Sequence, residues 1–163
     1  MVFKRLIVLS VIVLFSFVAV CNGAGIPKPL KARFVLGEPV WRELPVRDDL
    51  QNQYDKVWQT LLNTILEHNY DIATMEKSSG YFRTNWNERV VVLTGNWYYK
   101  LQITVKLIMP SDDLSKVEKI RLQVTGDITN LDKHGMVKAS FRGYDQIILE
   151  NLIQDIQAKI GLR

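Results

Sequence analysis

Between Tyr98 and Met109 the chain alternates without a break. Leu101, Ile103, Val105, Leu107 and Met109 point one way, while Lys100, Gln102, Thr104 and Lys106 point the other. A period of two belongs to a strand with one buried face and one wet face. After a polar turn at Pro110–Ser115, Val117–Thr125 repeats the pattern. Here Ile120, Leu122 and Val124 face inward and Lys119, Arg121 and Gln123 outward. Two such runs joined by a turn predict an antiparallel pair that needs a cover on its apolar side.

Two helical stripes can supply the cover. Over Asp48–His68, the residues Leu50, Tyr54, Val57, Trp58, Leu61, Leu62, Ile65 and Leu66 recur at steps of three and four. Over Arg142–Ile160, Tyr144, Ile147, Ile148, Leu152, Ile156 and Ile160 do the same. Between the first helix and the alternating runs, Tyr70–Lys77 and Tyr81–Asn87 flank Ser78-Ser79-Gly80 and read as a hairpin. Arg89–Leu93 extends the second of these strands, and Gly95-Asn96 offers another turn. The predicted fold is α+β: an antiparallel sheet of about four to five strands with two amphipathic helices packed on one face, a helix-grip-like sandwich.

The start of the chain is different. Met1 to Arg5 is short and basic, Leu6 to Val20 is apolar, and Cys21-Asn22-Gly23-Ala24-Gly25 is built mostly of small residues. The apolar run is short for a spanning helix and suits an export signal. Three readings stand. Val18-Ala19-Val20-Cys21 is similar to a bacterial lipobox, which would make Cys21 the lipidated first residue of the mature chain. A general signal peptidase could instead cut after Gly23 or Gly25, or the segment could stay as an anchor. The organisation is then 1–25 as signal, 26–47 as linker and lead-in strand, and 48–163 as one domain. The first two readings, cleavage with or without a lipid, predict a cell-envelope protein, periplasmic and held at the outer membrane through Cys21, or else secreted.

Composition excludes several classes. The net charge is +4, but Lys4 and Arg5 lie in the leader. The rest is nearly balanced and its cations are interleaved with acids, so nucleic acid is not an expected partner. Cys21 is the one cysteine, which rules out a disulfide framework within the chain. His68 and His134 sit in no metal-binding spacing, and the Asp112-Asp113 doublet reads as a turn cap. Gly80 and Gly95 stand alone rather than in a phosphate loop, and no GxSxG elbow occurs. The sequence therefore predicts a non-enzyme without metal or cofactor.

What remains is surface. The wet side of the strands offers Arg83, Asn85, Lys100, Gln102, Lys106, Arg121 and Gln123 as an interaction face. Trp97, Tyr98 and Tyr99, near Trp86, form a candidate aromatic patch, with packing inside the fold as the alternative. Such a face suits an adaptor that meets other envelope proteins. A second reading is a carrier holding a small apolar ligand between sheet and helix.

A family likeness runs through Tyr54-Asp55-Lys56-Val57-Trp58, Leu61-Leu62, Asn69-Tyr70-Asp71-Ile72 and Ser79-Gly80-Tyr81-Phe82-Arg83-Thr84-Asn85-Trp86. Together they resemble the repeated domain of the BamC (NlpB) lipoproteins, accessory to the outer-membrane β-barrel assembly machinery. The resemblance covers about residues 48–160, one domain where that family has two. It implies a helix-grip-like sandwich, a periplasmic location and an interaction role. Gly80, Thr84 and Trp86 would be its turn glycine, strand threonine and core tryptophan.

Overall fold

The computed structural model describes residues 25–92, 96–111 and 113–160. Cys21, Gly95 and Asp112 lie outside them, so the readings placed on those residues do too.

The frame is a long hairpin. Strands β6 (Asn96–Ile108) and β7 (Lys119–Leu131) pair from Asn96↔Leu131 to Ile108↔Lys119. Each outer edge of this hairpin carries two shorter strands end to end. On β6 these are β5 (Asn87–Val92), opposite Asn96–Leu101, and β4 (Tyr81–Thr84), opposite Thr104–Lys106. On β7 they are β8 (Val137–Asp145), opposite Gly126–Leu131, and β2 (Arg42–Pro45), opposite Lys119–Leu122. β3 (Ile72–Glu76) flanks β4, and β1 (Phe34–Leu36) flanks β8. Every pairing is antiparallel.

The described residues also hold four helices: α1 (Lys28–Lys31), α2 (Asp48–Gln51), α3 (Tyr54–Glu67) and α4 (Gln146–Ile160). The expected architecture of four to five strands and two helices is thus wrong: the described residues form a sheet of eight strands and four helices. The extra strands come from places without clear alternation. The lead-in supplies two short strands, and the alternating run at Val117 continues to Leu131. Residues Arg142–Asp145, expected to open the last helix, belong to β8. In β8 the core-facing positions are Ala139, Phe141 and Gly143, too small on average to show as an apolar pattern. The expected Asp48–His68 helix breaks at Asn52-Gln53, where Gln53 leaves helical geometry (φ −116°, ψ 57°).

Leu101, Ile103, Val105 and Leu107 on β6 and Ile120, Leu122, Val124 and Ile128 on β7 are buried on one face. They share a core with Val57, Trp58, Leu61 and Ile65 of α3 and Leu149, Leu152 and Ile156 of α4. Burying each such aliphatic side chain contributes about 1.5–3 kcal/mol. Trp58 meets Phe82 edge-on at 5.4 Å. His68 Nε2 lies 3.0 Å from Asp155 Oδ2, and Lys159 Nζ donates to Thr64 Oγ1 at 3.2 Å. As α3 advances from Thr64 to His68 its partner falls back from Lys159 to Asp155, so the two helices run antiparallel there.

The lead-in is built into the domain. Ile26, Leu30, Phe34, Leu44 and Val46 are all buried in the core. Phe34 reaches it because Gly126 and Gly143, opposite each other on β7 and β8, leave room. A Cβ on Gly126 would stand 2.5 Å from the Phe34 ring.

Candidate interaction face

Register carries the wet face of the sheet across several strands. Glu88 on β5, Lys100 on β6, Asp127 on β7 and Arg142 on β8 stand opposite one another in one row. Charge alternates along it, which is the favourable arrangement for cross-strand neighbours. Lys100 Nζ is 3.9 Å from Asp127 Oδ2 and 4.7 Å from the centroid of the Trp86 ring. The next row holds Tyr98, Thr129 and Ser140. Glu88, Tyr98, Lys100, Asp127, Thr129 and Leu131 line a surface cleft of about 320 Å³.

A second row runs Tyr81, Lys106, Arg121, Glu43 at the other end of the hairpin. Lys106 and Arg121 are like charges placed opposite. Glu43 offsets this, because Arg121 Nη2 lies 2.6 Å from Glu43 Oε1 and Lys119 Nζ 3.4 Å from its Oε2. Hydrogen bonds from Arg121 and then Lys119 hold the Glu43 carboxyl below its ordinary range.

Of the face expected from sequence, Arg83, Lys100, Gln102, Lys106, Arg121 and Gln123 do share one side of the sheet. Asn85 sits off the strands, exposed in the β4–β5 link, its N–H donating to Asp71 O at 2.8 Å. Several of these groups already have structural work. Gln102 Nε2 donates to Thr84 O at 3.0 Å, and Gln123 Nε2 to Pro39 O at 2.9 Å. Arg121 is held by Glu43. Among the described residues, the exposed Arg83 and Lys106 have no ion-pair partner, and they stand at one end of the face with Lys100 towards the other.

The aromatic patch divides. Trp97 and Tyr99 are buried on the core side of β6, and Tyr98 between them is 43% exposed on the wet side. Trp86, implied as a core tryptophan, is 37% exposed and lies under Lys100. Sequence reasoning did not find Glu43, Glu88, Asp127 and Arg142, which join the face only through pairing across strands. Local alternation offers no signal for that.

The other expected positions have ordinary surroundings. His134 is exposed in the β7–β8 turn, where its N–H donates to Asp132 Oδ1 at 2.8 Å. Asp113 accepts from the Ser115 N–H at 2.9 Å, closing a turn. Among the described residues there is no cluster of three or more His, Cys, Asp or Glu, and no helix long and apolar enough to cross a membrane. Leu101, Val105, Leu122 and Leu152, the side chains a lipid-like ligand would have to displace, are fully buried. Ile148 beside them is half-buried. The 320 Å³ cleft lies on the opposite side of the sheet from them.

In comparisons with known proteins, no family model and no curated protein matches the chain.

Proposed function

We propose that the chain is an exported, non-enzymatic adaptor of the cell envelope, meeting a partner protein through the wet face of its sheet. The observation that carries this reading is the group formed by Tyr98, Trp86 and Lys100. Tyr98 and Lys100 project from the thirteen-residue strand β6, and the exposed Trp86 ring of the β4–β5 link lies under Lys100, beside a cleft. Aromatic and cationic side chains on a rigid platform are the usual anchors of protein interfaces. Arg83 and Lys106, which have no ion-pair partner among the described residues, extend the same face with positive charge, which favours an acidic segment in the partner. The leader supports export, and the lipobox-like Cys21 supports attachment to a membrane. The BamC/NlpB resemblance makes outer-membrane protein assembly the first setting to test.

The experiment is site-specific photo-crosslinking in the native host. A photo-reactive residue replaces Tyr98 or Lys106 on the face, or Glu150 on the exposed side of α4. A discrete adduct from the two face positions and none from Glu150 is the expected result. Equal adducts from all three, or none from the face, would sink the proposal.

A further inference from the structure

The lead-in determines how far the domain can stand from a membrane. Ile26 is 5% exposed and Leu30 only 1%, both inside the core. Beyond them Arg33 pairs with the fully buried Asp145 at 2.6 Å, and its carbonyl accepts the Gln146 N–H at 2.8 Å. Among the described residues, the packed body therefore reaches back to Ile26. Only Asn22, Gly23, Ala24 and Gly25 separate it from Cys21. Fully extended, that connection reaches about 18 Å. A domain of this size has a radius of gyration of about 14 Å, so the reach is less than its own diameter.

The geometry points to a membrane-facing edge. Resting on the reading that the chain is anchored at Cys21, we infer that the β1–α1 edge lies against an anionic lipid surface, leaving the β3–β4 edge turned towards the periplasm. Charge fits this occupant. No acid occurs from Met1 to Gly37, and Lys28 and Lys31 are exposed on α1. Cations beside a lipid anchor add electrostatic attraction to the insertion of the acyl chains. The same short reach follows if the apolar segment stays as an anchor. The β3–β4 turn at Lys77–Ser79 lies on the far edge of the sheet, five strand spacings or about 24 Å from β1. The wet face then stands roughly upright on the membrane, open to a partner from the side.

The test uses the full chain purified from its host and reconstituted into vesicles containing phosphatidylglycerol. Spin labels are placed by Ala32→Cys at the near edge and Ser78→Cys at the far edge; both positions are exposed. The Cys21 thiol is consumed by lipidation, which leaves one labelling site in each. Intact mass is measured first. An unacylated chain starting at Ala24 or Ile26 would refute the anchor, and the inference with it. For an acylated chain, the expected result is that the Ala32→Cys label sits at headgroup depth, shielded from a water-soluble relaxant, and the Ser78→Cys label does not. Ten Gly/Ser residues inserted between Gly25 and Ile26 should reduce that shielding at least two-fold. Equal exposure of both labels, or no response to the insertion, would overturn the orientation while leaving the anchor intact. Shielding at Ala32→Cys that needs no lipid and grows with protein concentration would assign the edge to a second copy of the chain, and would also overturn it.

Discussion

Arg33 Nε lies 2.6 Å from Asp145 Oδ2, tying the lead-in to the residue that ends β8 and caps α4. The other carboxylate oxygen of Asp145 accepts the Ile148 N–H at 3.0 Å, an N-cap bond. Asp145 is fully buried, so both oxygens must be satisfied by the fold. Burial by itself would lower the pKa of Arg33. The hydrogen bond and charge of Asp145 outweigh that and raise it, so the guanidinium stays charged. One side chain thus joins the N-terminal lead-in, the last strand and the last helix.

Asp145→Ala is expected to destabilise the protein by about 3–5 kcal/mol, because it leaves a half-buried guanidinium without its carboxylate. Asp145→Asn keeps an acceptor for the Ile148 N–H and should recover about 1 kcal/mol of that loss. Urea unfolding followed by tryptophan fluorescence measures both. Equal losses in the two variants would show that the cap contributes nothing.

Thr84 closes a gap in the sheet. β4 and β5 leave the Ile103 N–H of β6 without a strand partner, and Thr84 Oγ1 accepts it at 2.9 Å. Thr84→Val keeps the shape and removes the acceptor, so it should cost about 1–3 kcal/mol. Thr84→Ser should stay within about 1 kcal/mol of the parent, since it retains the hydroxyl and loses one methyl. Hydrogen exchange at the Ile103 amide should quicken in the valine variant only.

Glu43 gives the sheet a pH-dependent contribution. Its carboxyl is held below the ordinary value of 4.5, chiefly by the Arg121 hydrogen bond. At pH values between the folded and unfolded pKa, the unfolded chain binds more protons, so stability rises with pH through that window. The contribution is complete above about pH 4.5 and is lost as pH falls through the lower folded pKa. Glu43→Gln should therefore be less stable than the parent at pH 7, with the difference shrinking below pH 4. Denaturant titrations of both proteins at pH 7 and pH 3 check this. A difference that stays constant would show that the carboxylate charge is not its source.

Trp86 and Lys100 separate recognition from stability. Their contact is solvent-exposed, so Lys100→Ala should cost about 0.5–1 kcal/mol or less. Under the proposed function, Lys100→Ala or Trp86→Ala should nonetheless cut the cross-link yield from position 98 by roughly ten-fold, the size of effect expected for a hot-spot contact of about 1.4 kcal/mol. Melting temperature and adduct yield measured together distinguish the two. A yield that falls only in step with stability would remove these residues from the interface.

The alternation of Tyr98–Met109 and Val117–Thr125 and the stripe from Tyr54 to Ile65 were legible because each reports local burial at a fixed period. They identify the central hairpin, its wet face and the helix above it, and they correctly group Lys100 with Lys106 and Arg121. The same periodicity sends Trp97 and Tyr99 inward and Tyr98 outward, a division concealed when the three are treated as one aromatic cluster. Other elements carry no such local mark. In β8, Phe141 is followed on the core side by Gly143, whose space Phe34 fills from β1, seven strands earlier along the chain. Trp86 reads as a core residue by type, yet it stands under Lys100 because the β4–β5 link turns it to the wet side.

By itself, the sequence determined which segments carry a buried face, and on which side, because burial at each position is written in that residue's own polarity. It also determined the apolar start and the position of Cys21. Only the tertiary structure decided how many strands share the sheet, that two strands fit end to end along each edge of the hairpin, and that the lead-in belongs to the core from Ile26 onward. Those outcomes depend on hydrogen bonds and on space opened by distant residues, such as Gly126 and Gly143 beneath Phe34. A backbone group carries no local record of the strand that will pair with it.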